Sequence, residues 1–184
     1  MSYEPVIKYF PYLGHYIESE RSPMLEEHQW QKGDYICHAG EPIEYMHFLT
    51  RGRARVFLPL YNGKRFLFRI YQPGAVIGDL EFFTGGNTTC AVQCLTACRT
   101  AAIPMDAVRR NSDINSPLLF SLGRMLAEKL ERNSIAEAIN TSYDLVARVA
   151  AYYLTHTDPK IQARNLQELS EWLGTSYRHL SRIH

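Results

Sequence analysis

The chain has 184 residues, 46% of them apolar and 21% charged, an ordinary globular balance that excludes collagen-like, low-complexity and disordered classes. Twenty Lys and Arg against 19 Asp and Glu leave a net charge of +1, so the molecule as a whole is not a polycation that coats nucleic acid, and any basic surface has to be local. The length suits one large domain, or one domain and part of another.

Residues 1–21 do not read as a secretory leader, and no apolar run reaches the roughly 18 residues that would span a membrane. Cys37, Cys90, Cys94 and Cys98 are too few and too unevenly placed for a disulfide-stapled scaffold. A cytoplasmic protein with no membrane partner is expected. Charge is segregated: Met1 to His47 carries eight acids and three bases, Arg51 to Tyr71 carries six bases and no acid, and the remainder has eleven of each.

From about Trp30 to Pro104, Gly and Pro punctuation recurs between β-rich runs, at Gly33, Gly40, Gly52, Asn62-Gly63, Pro73-Gly74 and Gly85-Gly86. That spacing predicts a sandwich, jelly roll or barrel of short strands. Asn62-Gly63 predicts a hairpin with a type I′ turn. Period-2 alternation around it puts Arg53, Arg55, Arg65 and Arg69 on outward strand faces, where their mutual repulsion is expected to be offset by the acidic first 47 residues. An anion or acidic-partner site on that face is the alternative.

After Pro104 the period changes. Leu118, Leu119, Leu122, Met125, Leu126 and Leu130 recur at three- and four-residue steps, predicting one long helix from Asn115 to Thr141 opened by Ser116-Pro117. Its leucine surface exceeds what one jelly roll covers, so Leu118, Leu122, Met125 and Leu126 are expected to pair two chains. A second helix is predicted over Tyr143 to His156 and a third over Leu166 to Leu173. Gly174 should close the third, and Ser176 should cap a fourth.

The Gln167 to Ile183 stretch, QELSEWLGTSYRHLSRI, resembles the helix-turn-helix of the CRP/FNR superfamily of bacterial transcription regulators. Gly33-Asp34, Leu49 to Gly52 and Gly78-Asp79-Leu80 fall where that superfamily keeps the turns and phosphate-binding cassette of its cyclic-nucleotide-binding jelly roll. LTRGRAR and LGTSYRHL are similar to its YeiL-type branch. The resemblance covers nearly the whole chain and implies an α+β fold: a jelly-roll sensor (double-stranded β-helix) over 1–114, a dimerisation helix over 115–141, and a winged helix-turn-helix over 142–184. It implies a homodimer that reads near-palindromic promoter DNA beside RNA polymerase. Tyr177, Arg178 and Arg182 would enter the major groove, and Ser176 would cap the helix and touch a phosphate. The chain is expected to stop inside that recognition helix, as a truncated form whose full DNA binding belongs to a longer parent.

The family's effector pocket would map to Gly78, Asp79, Leu80, Thr89 and Cys90, with Asn133 and Ser134 of the long helix closing over it. In the cyclic-AMP-responsive members a Glu and an Arg hold ribose and phosphate, and here Asp79 and Thr89 stand at those positions. A hydroxyl cannot supply the charged fork of a guanidinium, a contact worth about 1.5–3 kcal/mol, so no cyclic nucleotide and no resident cofactor is expected. The effector itself is left open.

Three further patterns bear on function. Four residues of strand span about 13 Å, so Cys90, Cys94 and Cys98 are expected to be separate buried hydrophobes and not one metal or redox centre; a disulfide from Cys37 stays open. His38, Glu41, Glu44 and His47 lack the spacing of a cupin metal site. No nucleophile with a positioned base, P-loop or dinucleotide fingerprint is present, so no enzyme is expected. A stand-alone ligand-sensing module and a metal-dependent cupin enzyme are the alternatives to a regulator.

Overall fold

The computed structural model describes residues 4–14, 25–110, 116–155, 157, 165–173, 175 and 177–183. Eight strands carry the first two thirds: β1 (Glu26–Trp30), β2 (Tyr35–Cys37), β3 (Tyr45–Arg51), β4 (Ala54–Pro59), β5 (Arg65–Tyr71), β6 (Val76–Ile77), β7 (Ala91–Cys94) and β8 (Cys98–Pro104). They form two four-stranded antiparallel sheets, ordered β1-β8-β3-β6 and β2-β7-β4-β5. Every connection except the β4–β5 hairpin crosses between the sheets, the connectivity of a jelly roll.

Period-2 alternation divides the burial. β3 sends Met46 and Phe48 to one side and Leu49 to the other, and β8 likewise separates Ala101 and Ile103 from Cys98. Leu49 and Cys98 meet Val56 and Val92 of the second sheet inside the sandwich. The opposite face of the first sheet is covered by helices, among them α1 (Glu4–Tyr9). Two more short helices, α2 (Asp79–Thr84) and α3 (Met105–Arg110), flank β6 and β8. None of the three was legible as a helix, because six residues are under two turns and give no readable period.

The long helix α4 spans Ser116–Ser142, close to the expected bounds. Its first turns bury Leu118 and Leu122 completely against Val6, Phe10, Phe48 and Ile103. Of the four residues expected to pair two chains, Leu118 and Leu122 belong to the chain's own core, Met125 packs on that core and accepts a hydrogen bond from the Tyr12 hydroxyl, and Met125 and Leu126 each keep a share of solvent. No described helix is long and apolar enough to cross a membrane.

Three helices follow, α5 (Leu145–Thr155), α6 (Leu166–Trp172) and α7 (Tyr177–Leu180). α5 starts two residues later than expected because Asp144 is its N-cap, its carboxylate accepting the Ala147 N–H at 2.8 Å. Asn165 caps α6 in the same way through Glu168 N–H at 2.9 Å. Leu145, Tyr152, Leu169, Leu173 and Leu180 close a separate small core. The expected caps at Gly174 and Ser176 lie outside the described residues.

The hairpin differs from expectation in two ways. Gly63 has φ 76°, but among the described residues no non-glycine, Asn62 included, has positive φ, so the turn is not type I′, which needs it at Asn62 too. Leu60 accepts the N–H of Gly63, and the Asn62 side chain instead accepts the Lys64 N–H at 3.0 Å. In β5 the pairing steps from Val56↔Arg69 to Phe57↔Leu67, so Phe68 is an extra, bulged residue. The alternation breaks there: Leu67 and Ile70 are buried and Phe68 faces out.

Candidate effector site and nucleic-acid interface

The turn from β6 into α2 is built on Gly78. Its φ of 88° is left-handed, and a Cβ there would meet Met105 Cε at 2.7 Å and the Tyr45 carbonyl at 3.1 Å, so only glycine fits. The turn holds Asp79 inside the protein. One carboxylate oxygen accepts the Leu80 N–H at 3.1 Å, and the other lies 2.5 Å from Nζ of Lys129 on α4. Lys129 also donates to the Val76 carbonyl at 3.1 Å and stands 5.4 Å from the centre of the Tyr71 ring. Burial pulls the Lys129 pKa down, but Tyr71 and Asp79 outweigh it and the net shift is upward. The Asp79 carboxylate is thus already engaged by the chain's own ammonium.

The other residues mapped to the pocket lie apart from that pair. Leu80 and Thr89 are exposed, as are Asn133 and Ser134, and the Ser134 hydroxyl bonds back to the Leu130 carbonyl of its own helix. Cys90 is half-buried, and burial together with Glu81 pushes its thiol up to about 11. The Glu81 carboxyl is also raised, chiefly by burial, against the opposing pull of the backbone N–H groups of Glu81 and Thr89. A carboxylate of the chain therefore sits by the amide where the resemblance would put a ligand's phosphate. Thr88, not Thr89, is the buried threonine, its hydroxyl tying the loop to the carbonyls of His38 and Glu41.

A cavity of about 310 Å³ opens beside this turn, walled by β5 and the 71–76 segment, by α4 and by Tyr152 of α5. Its charged lining is Arg69, Lys129 and Arg132 with Glu128, and none of the seven mapped pocket residues lines it. Glu128 pairs with Arg124 at 3.2 Å and with Arg132 at 3.8 Å.

The arginines of the hairpin do not share one face, and their described partners are not the acidic first 47 residues. Arg55 donates to the Gln93 side chain at 2.7 Å and lies with Arg65 over the Phe57 ring. Arg53 is buried, with its guanidinium 3.9 Å from the Glu168 carboxylate on α6, which packs on β5. In α7 and the turn that follows it, Leu180 is buried in the small core while Tyr177, Arg178 and Arg182 are exposed. Arg178 and Arg182, four residues apart, can lie on one side. Arg148 ties the end of α6 to α5 through the Leu173 carbonyl at 3.0 Å. Ser176 lies outside the described residues.

Cys94 ends β7 and Cys98 opens β8, and the turn between them brings the two thiols into hydrogen-bond contact, raising the Cys94 pKa and lowering that of Cys98. The expectation that these two are far apart is overturned, because they do not lie along one strand. Both are reduced and buried, as is Cys37. His38 stacks on Tyr35, whereas His47 turns inward to the Thr100 hydroxyl at 3.2 Å, and among the described residues no cluster of His, Cys, Asp or Glu could hold a metal ion.

The described family of cyclic nucleotide-binding domains matches residues 27–113. The chain is 33% identical over 147 residues to "Regulatory protein YeiL" of Escherichia coli O157:H7, covering 80% of this chain and 67% of that protein. It is 25% identical over 166 residues to the "cAMP-activated global transcriptional regulator CRP" of Salmonella typhimurium, covering 85% and 79%. In fold it is similar to the c-di-GMP-responsive global regulator CLP of Xanthomonas campestris (TM-score 0.77, 15% identity, 98% and 89% covered) and to FixK2 of Bradyrhizobium japonicum (TM-score 0.73, 20% identity, 87% and 82% covered). The jelly roll, the long helix and the small helical core are thus matched together over most of the chain. The chain belongs to the CRP/FNR family of transcription regulators.

Proposed function

We propose that the chain works as a homodimer in the bacterial cytoplasm, with residues 1–114 sensing an effector, 115–141 pairing two copies and 142–184 reading promoter DNA beside RNA polymerase. The observation that carries this reading is the last helix: Leu180 anchors it in the small core while Tyr177, Arg178 and Arg182 stay exposed. Arginines presented on an anchored short helix and the turn after it suit bidentate contacts to guanine O6 and N7 in a major groove. Dimer pairing runs along Leu119, Leu126 and Leu130, which lie to one side of the row that faces the sandwich.

On this reading the effector is not a cyclic nucleotide. Asp79 is held by Lys129, Thr89 replaces a guanidinium, and the Glu81 carboxylate lies where a phosphate would be repelled. Selection of the full chain against a pool of duplexes carrying random half-sites about 10 base pairs apart tests the DNA reading. A near-palindromic winner is expected, bound less well as salt rises and lost in Arg178→Ala/Arg182→Ala. A pool with no enriched sequence overturns it. Micromolar heats on titration with cyclic AMP or cyclic GMP would overturn the exclusion of cyclic nucleotides.

A further inference from the structure

The cavity beside the cassette turn has a charge pattern that the fold does not require. Arg69 stands on β5 and Arg132 on α4, both line the cavity, and burial together with the charge of Arg132 disfavours the protonated form of Arg69. Among the described residues Arg69 has no ion-pair partner, and the one lining carboxylate, Glu128, is already shared between Arg124 and Arg132. Lys129 lines the same wall, but its ammonium is already paired with Asp79. A strand and a helix that merely packed together would place apolar or opposite-charge residues here, since unoffset like charges cost stability.

We propose that this cavity is the binding site of a small organic anion, whose carboxylate or phosphate group bridges Arg69 and Arg132. Gln72, whose side chain can donate and accept hydrogen bonds, lines it too, as do Tyr71 and Tyr152. At about 310 Å³ the space is at the low end of small-molecule sites, which run from about 300 to 1,000 Å³. The site is distinct from the cassette residues Gly78, Asp79 and Thr89, none of which lines it.

Its walls explain how occupancy would be felt elsewhere. Arg69 belongs to the sandwich, Arg132 and Lys129 to the long helix, and Tyr152 to the core that anchors α7. An anion drawing Arg69 and Arg132 together fixes the sandwich against the helix at the point where the reader core touches both. This regulatory consequence rests on the effector-regulated reading above; the anion site itself does not.

Calorimetric titration of the full chain at low ionic strength with inorganic phosphate and with citrate, against chloride at matched ionic strength, tests the site. Saturable binding of at least one probe is expected, with the tighter one telling phosphate from carboxylate. Charge-assisted contacts each carry about a tenfold or greater share of affinity, so Arg69→Met and Arg132→Met should each weaken binding at least tenfold, while Arg65→Met, outside the cavity, should not. Arg132 is half-exposed on its helix, which keeps the test valid if Arg69→Met fails to fold. Binding that is unsaturable, indistinguishable from chloride, or equal in all four proteins overturns the proposal. Anion binding lost with DNA selection intact removes this site alone; failed DNA selection with anion binding intact removes the regulator reading alone.

Discussion

Lys129 reaches from the long helix into the jelly roll and sets its ammonium 2.5 Å from the Asp79 carboxylate, with the two side chains only 19% and 5% exposed. A pair this buried gains little over an apolar pair of the same shape, yet losing one member strands the other charge. Lys129→Met is therefore expected to cost about 3 kcal/mol of stability, and Asp79→Asn/Lys129→Met distinctly less than the single change. Urea unfolding of the unaltered chain and the two variants reads this directly. Equal losses in the single and double variants would show that the two side chains do not act as a pair.

Arg53 and Glu168 form the second bridge between parts of the molecule. Their side chains are 10% and 15% exposed at 3.9 Å, and the helix carrying Glu168 lies on β5. Glu168→Gln keeps the shape and removes a negative charge that faces the buried guanidinium. A loss of about 2 kcal/mol is expected, with faster amide exchange concentrated in β5 and α6. Unchanged exchange in both segments would mean that the contact does not hold them together.

His47 makes stability depend on pH. The Trp30 indole donates to the Thr100 hydroxyl at 3.1 Å, so that hydroxyl is free to donate to His47 Nδ1, which suits a neutral ring. Burial, with a smaller push from His28, lowers the His47 pKa from 6.5 to about 3. Tyr45 and Trp30 also face it. Between those values the unfolded chain holds a proton that the folded chain does not. The contribution is therefore complete above pH 6.5 and is lost as pH falls toward 3, at up to about 1.4 kcal/mol per pH unit. His47→Gln should flatten the slope of urea-unfolding free energy between pH 6 and pH 4; an unaltered slope would assign it to other groups.

Much of this molecule was legible because its signals are local. Glycine punctuation marked the strands, and three- and four-residue steps marked α4 to within a residue. What escaped was long-range or short-period. Phe68 carries no mark of a bulge, so the hairpin arginines were placed on a common face that the register shift destroys. Cys94 and Cys98 looked distant because nothing local says that three residues reverse the chain between sheets. The partners of Asp79 and Arg53 are 50 and 115 positions away, beyond any local pattern. One signal was present: Leu118, Leu122, Met125 and Lys129 form a single row at helical spacing, and a lysine ending an apolar row marks a charge turned toward the interior.

The same row fixes which substitutions on α4 separate two chains. At 3.6 residues per turn, Leu119, Leu126 and Leu130 lie roughly a quarter turn from the Leu118–Leu122 row. Leu130 is 69% exposed, whereas Leu122 is fully buried beside Phe10 and Phe48. Leu122→Glu buries an unpaired carboxylate in that core and is expected to unfold the chain, so its failure to dimerise would say nothing about pairing. Leu126 is half-buried and Leu130 exposed, so Leu126→Glu and Leu130→Glu are expected to give folded monomers, seen as a halved mass by sedimentation with the circular dichroism spectrum retained. A dimer that persists in both variants would place the pairing face elsewhere on the molecule.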